Sequence, residues 1–125
     1  MKNNKKGSGS PDVSKAFASM ASELMSMSED INKARDLAYV AVIAWNISLY
    51  PHDQIAEKIE LVAKEYEKSN PGVIQAELMS RDLQRLVEQK LKECPNIKRT
   101  ITKIGVEEKG EKYMITTESV PYVPQ

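Results

Sequence analysis

Leu37-Ala38-Tyr39-Val40-Ala41-Val42-Ile43-Ala44-Trp45-Asn46-Ile47-Ser48-Leu49-Tyr50-Pro51 is the stretch on which the fold turns. From Leu37 to Leu49 it carries no charge, and Asn46 and Ser48 are the polar interruptions. A helix that is apolar on nearly every side has to be surrounded by other elements, so this segment predicts the central helix of a bundle. As a helix, residues 37–49 rise about 20 Å, short of the roughly 30 Å hydrocarbon core of a bilayer. They read as a buried core, not as a membrane span. Lys33, Arg35 and Asp36 precede the apolar run and set the start near Glu29, while Pro51 ends it.

Working outward, Val13, Phe17, Met20, Leu24, Met27 and Ile31 recur at spacings of four and three, which predicts an amphipathic first helix. Ser10-Pro11 supplies its start, a capping hydroxyl before a proline at the first helical position. Ser26 and Glu29 have capping-box spacing, favouring a break between the first and second helices over one continuous helix. On the far side, Pro51 and Asp53 open a third helix with Ile55, Ile59, Val62 and Tyr66 on one face. Asn70-Pro71-Gly72 stops it. A fourth helix is expected from about Val73 to Glu93, with Ile74, Leu78, Leu83, Leu86, Val87 and Leu91 inward, and Cys94-Pro95-Asn96 terminates it.

The texture then changes. Ile97 to Glu107 is rich in Ile, Thr and Val, and Tyr113 to Thr117 follows a Glu-Glu-Lys-Gly-Glu turn. Two β-branched runs around such a turn predict an antiparallel hairpin. Ile101, Ile104 and Val106 break strict alternation, which predicts a bulge near Gly105. The expected architecture is therefore mostly α (α+β): about four helices forming a bundle, followed by a C-terminal β-hairpin. Residues 1–10, with three lysines and no apolar residue after Met1, read as a disordered basic tail. Residues 11–119 read as a single domain and 120–125 as an extended tail.

Composition narrows the function. The chain has 125 residues, with 18 Lys and Arg against 18 Asp and Glu, so its formal net charge is zero. A globally basic nucleic-acid binder is disfavoured. One His and one Cys exclude a disulfide framework and an all-Cys/His zinc site. No Gly-rich phosphate loop occurs, because the five glycines are scattered. His52 sits in the first turn of a helix with no nucleophile nameable beside it, and reads as a surface residue. Cys94 follows a helix C-terminus, where the dipole disfavours a thiolate. No enzyme, cofactor or metal is expected. The lone cysteine and the absence of a secretory signal in the sequence suit a cytoplasmic protein.

Three features carry the functional expectations. Met20, Met25 and Met27, set among Ala and Ser, form a candidate partner-binding face, since Met adapts to varied surfaces. The alternative use for those on the apolar stripe is the core; Met25, off the stripe, decides between the two. Arg81, Arg85, Lys98, Arg99 and Lys103 form a candidate nucleic-acid surface in the helix-then-hairpin order of winged-helix proteins. Asp82, Glu88 and Glu93 on the same helix oppose it. Asn46, an amide inside the apolar helix, must find partners, either in the hairpin backbone or a neighbouring helix end, or else in a ligand.

The segment Ala44-Trp45-Asn46-Ile47-Ser48-Leu49-Tyr50-Pro51 resembles one found in small uncharacterised bacterial proteins, as does the charged helix Leu86 to Cys94 that ends at a proline before a hairpin-like stretch. The resemblance spans residues 30–118 and implies one compact unit, with no activity attached. The sequence thus points to a non-catalytic adaptor, regulator or accessory subunit. Its expected partner is another protein or a second copy of itself, with nucleic acid as the alternative and no membrane.

Overall fold

A computed structural model describes residues 11–26, 28, 30–72, 75–110 and 112–123. Four helices, α1 (Pro11–Met25), α2 (Ile31–Ile47), α3 (His52–Ser69) and α4 (Ala76–Glu93), precede strands β1 (Arg99–Lys109) and β2 (Lys112–Pro121). The helices form a bundle and the strands an antiparallel hairpin, as the sequence predicts.

The central helix is α2, and α1, α4 and β1 all pack on it. Ala34, Ala38, Ala41 and Ala44 recur at four- and three-residue steps and are fully buried. Small side chains there let neighbouring backbones come close, which compensates for their meagre apolar area. At the C-terminal end Trp45 supplies the bulk, meeting Phe17 of α1 edge to face with ring centroids 6.0 Å apart. The break between α1 and α2 is present. Asp30 rather than the Ser26/Glu29 pair caps α2, its carboxylate accepting the Lys33 amide at 2.8 Å. Glu29 lies outside the described residues, as do Met27, Val73, Ile74 and the expected tail 1–10.

The helix α4 begins at Ala76, where the Glu67 carboxylate accepts the Ala76 amide at 3.1 Å. Its inward stripe is Met79, Leu83, Leu86, Val87 and Lys90. Leu78, expected inside, is instead on the surface. The reason is its row: Asp82 and Arg85 follow it at i+4 and i+7, and that face is solvated.

The hairpin runs from Arg99↔Pro121 to Lys109↔Lys112. Gly110 turns it with φ of +65°, a conformation that a side chain disfavours. Two expectations need correcting here. The bulge falls between Ile101 and Lys103, not at Gly105. Gly105 serves a different need: a Cβ there would stand 2.8 Å from the Thr116 hydroxyl across the ladder. The second correction concerns the C-terminal tail. Val120 and Pro121 belong to β2, and the Tyr122 amide bonds the Lys98 carbonyl at 3.0 Å, so the ladder reaches further than 119.

Candidate functional site

Asn46 is a structural residue. Its Nδ2 donates to the Ile101 carbonyl at 3.0 Å and its Oδ1 accepts the Ile101 amide at 2.9 Å. The side-chain amide thereby imitates one residue of a neighbouring strand. Beside it the Trp45 indole donates to the Arg99 carbonyl at 2.8 Å, and Arg35 reaches the Val106 carbonyl at 3.5 Å. From Arg35 to Asn46 the helix rises about 16 Å. From Ile101 to Val106 a strand rises about the same distance. Helix α2 therefore lies along β1 and occupies the edge that a lone hairpin leaves open. Asn46 thus finds its partners in the hairpin backbone, which is the structural use expected of it.

Lys90 is a buried charged residue that sequence reasoning does not place in the core. Only 1% of it is exposed. Its Nζ donates to the Ile97 carbonyl at 2.7 Å and lies 4.9 Å from the centroid of the Trp45 ring. Burial pushes its pKa below the ordinary lysine value, opposed by the nearby Cys94 and assisted by Lys98. Burial also pushes the Cys94 thiol up, against the pull of Lys90 and with the push of Glu93. A thiol held protonated makes a poor nucleophile. The signal in the sequence was the heptad spacing of Met79, Leu83, Leu86 and Lys90, which puts a lysine in the fourth place of an apolar stripe.

The expected methionine face is not a surface. Met20 and Met25 are each 2% exposed and belong to the core with Phe17 and Ala21. Met25 is the correction that matters, since α1 turns it inward where the spacing had put Leu24. Leu24 is the partly exposed residue of that pair. Met27 lies outside the described residues.

Three of the candidate basic residues, Arg81, Arg85 and Arg99, bond to groups of the chain itself. Arg81 bonds Glu77 at 3.3 Å and Arg85 bonds Asp82 at 2.9 Å. Both sit on α4, while Lys98, Arg99 and Lys103 lie beyond its C-terminal end. Arg99 is turned along the ladder, donating to the Ser119 hydroxyl at 2.9 Å and the Ser119 carbonyl at 3.0 Å. Lys98 and Lys103 remain exposed. His52 is exposed at the start of α3. Among the described residues, no three His, Cys, Asp or Glu side chains are placed to hold a metal, and no helix is long and apolar enough to cross a membrane.

The feature that stands out is a groove of about 640 Å³ where α2 and α4 part near the end of α3. Leu24, Leu37, Val40, Tyr66 and Met79 give it an apolar lining. Tyr39 of α2, 51% exposed, and Leu78 of α4, 49% exposed, stand on its walls. Lys33, Asp36, Asn70, Gln75 and Asp82 supply the polar groups. A cavity of this size, mostly apolar with a few polar groups, has the make-up of a binding site. A narrower seam of about 440 Å³ between α3 and α4, lined by His52, Ile55, Ile59, Glu60 and Gln84 among others, is more polar.

The fold and groove together define a small α+β domain, a four-helix bundle with an appended hairpin. No family profile, curated protein or solved structure matches the chain.

Proposed function

We propose that this chain is a protein-interaction module that acts by binding and catalyses no reaction. The observation that carries the reading is the apolar groove between α2 and α4 with Tyr39 and Leu78 on its walls. Exposed leucines occur singly on any surface, but a half-exposed aromatic beside an apolar hollow is the make-up of an interface anchor. Completing the burial of Tyr39 and Leu78 against a partner contributes on the order of 1 kcal/mol each, before the partner's own side chains are counted. A cytoplasmic setting suits this role, with Cys94 held as a free, half-buried thiol.

The test is a comparative capture from lysate with wild type, Leu78→Glu and Leu61→Glu, with and without nuclease and at two salt concentrations. Leu61 is an exposed leucine of α3 outside the groove lining and serves as the control. The reading expects a protein retained by wild type and Leu61→Glu and lost with Leu78→Glu, through nuclease and high salt. Identical recovery by all three overturns it. Recovery of nucleic acid that salt removes would transfer the function to Lys98 and Lys103.

A further inference from the structure

A hairpin has two outer edges, and this fold closes them unequally. Lys109 pairs with Lys112 across a two-residue turn, and from there hydrogen-bonded and non-hydrogen-bonded pairs alternate along the ladder. Glu108↔Tyr113, Val106↔Ile115 and Ile104↔Thr117 fall in the class whose N–H and C=O groups point away from the partner strand. Two contacts fix the same phase independently of the turn. The Val106 carbonyl accepts from Arg35 at 3.5 Å, and the Thr117 amide donates to the Ser14 hydroxyl at 3.3 Å. The outer edge of β1 is thus served by α2, through Arg35, Trp45 and Asn46. The outer edge of β2 is served by α1 at Thr117. Among the described residues, the outward N–H and C=O groups of Tyr113 and Ile115 meet no hydrogen-bond partner.

An open stretch of this kind is a template for another strand, and its two ends choose which strand. At one end α1 stands against Thr117 through Ser14, and at the other the chain turns at Gly110. A long extended segment laid along Tyr113 and Ile115 runs into α1. A second copy of β2, antiparallel about a two-fold axis at Met114, does not: its strand begins at Lys112, opposite Thr116, and its turn falls where α1 closes the edge. Tyr113 of each copy then faces Ile115 of the other, and every open N–H and C=O group finds a partner. Charge agrees with this register. On the solvent side Lys112 lies diagonal to Glu118 of the other copy, a pairing the symmetry makes twice, and the two exposed Met114 side chains meet at the axis. We propose that β2 pairs with β2 of a second copy of this chain across Tyr113–Ile115, joining two hairpins into one sheet. This surface is separate from the groove between α2 and α4, and the inference does not rest on that reading.

Sedimentation velocity on the full chain, from about 1 to 200 µM, tests it over the range where weak dimers form. Wild type sediments as a monomer–dimer equilibrium. Met114→Lys sets like charges opposite each other at the axis and weakens the dimer about tenfold or more, and Met114→Glu does the same. Val120→Lys is the control: Val120 is 44% exposed against 45% for Met114, on the same side of the same strand but beyond the open stretch, and its variant leaves the dimer unchanged. Mixing the Met114→Lys and Met114→Glu chains restores the dimer, because opposite charges then meet at the axis. Circular dichroism with thermal melts verifies that each variant is folded. A chain that stays monomeric at every concentration overturns the inference. So does a dimer that Met114→Lys leaves intact, that Val120→Lys abolishes, or that mixing fails to restore. A monomeric chain that captures a foreign protein and loses it with Met114→Lys overturns it too, and gives the edge to a strand of that protein.

Discussion

Asn46 shows how a single side chain sets the position of the hairpin. Because one amide serves both the Ile101 amide and the Ile101 carbonyl, replacing it leaves two backbone groups without partners. Asn46→Leu is expected to destabilise the fold by roughly 2–4 kcal/mol, read as a lower midpoint in urea with little change in slope. Asn46→Asp keeps the acceptor and loses the donor, setting a carboxylate against the Ile101 carbonyl. It should be no milder than the leucine variant, and a neutral effect from either would show that the hairpin is held elsewhere. That an amide in this helix needs a partner was legible in the sequence. Which backbone it would meet depended on the register of β1 alongside α2, which no local pattern encodes.

Lys90 and Cys94 make opposite predictions about alkaline stability. The folded state holds the Lys90 pKa down, so between that value and the ordinary lysine value of about 10.4 the unfolded chain binds more protons, and stability rises with pH. The folded state holds the Cys94 pKa up, so above the ordinary thiol value of about 8.5 the folded chain binds more protons and stability falls. Cys94→Ser should therefore show melting temperatures that climb relative to wild type as pH increases from about 8.5. Lys90→Met should show them declining as pH approaches the ordinary lysine value of about 10.4 from below. Parallel pH profiles for the two variants would contradict the burial argument.

At the scale of elements, the fold separates apolar residues that the sequence alone treats alike. Met25 and Leu24 are neighbours on α1, as Met79 and Leu78 are on α4, and in each pair the structure buries the methionine more deeply. The helical period leaves room for this error, since residues adjacent in sequence are about 100° apart and an apolar stripe is about that wide. For Leu78 a signal was present in Asp82 and Arg85, the polar residues that follow on its own row. For Met25 none was. The consequence is measurable. Met20→Glu and Met25→Glu put a carboxylate in the core and should cost at least about 3 kcal/mol, while Leu78→Glu on the surface should stay within about 0.5 kcal/mol. Chemical denaturation of the three variants separates them, and comparable losses in all three would contradict the assignment of Leu78 to the surface.

The caps tell the same story on a smaller scale. Asp30 holds the first turn of α2 through the Lys33 amide, and Asp30→Ala should cost about 1 kcal/mol in urea denaturation. The break after Met25 was readable from Ser26, Ser28, Glu29 and Asp30, whereas the capping residue was not, because Ser26, Ser28 and Asp30 are all competent caps.

At the scale of the whole molecule, the hairpin is joined to the bundle along the seam of α2 with β1. That much follows from sequence features visible at the outset: an all-round apolar helix, a proline that ends it, and a β-branched tail that cannot stand alone. The groove was not visible there. It forms where α2 and α4 part, and its walls are drawn from segments about forty residues apart. Tyr39 lies within the very run that marked the core helix, and its place on the surface follows from Arg35 and Asp36 one turn earlier on the same side.

The account's central claim is that the groove is where this chain meets its partner, and photo-crosslinking in living cells tests that most directly. A benzoylphenylalanine is placed at position 39 or, as control, at position 61, and the chain is recovered under denaturing conditions after irradiation. The expected result is a covalent adduct from position 39 and none from position 61, its mass and peptides identifying a protein partner. Adducts of equal yield from both positions, or none from position 39, would contradict it.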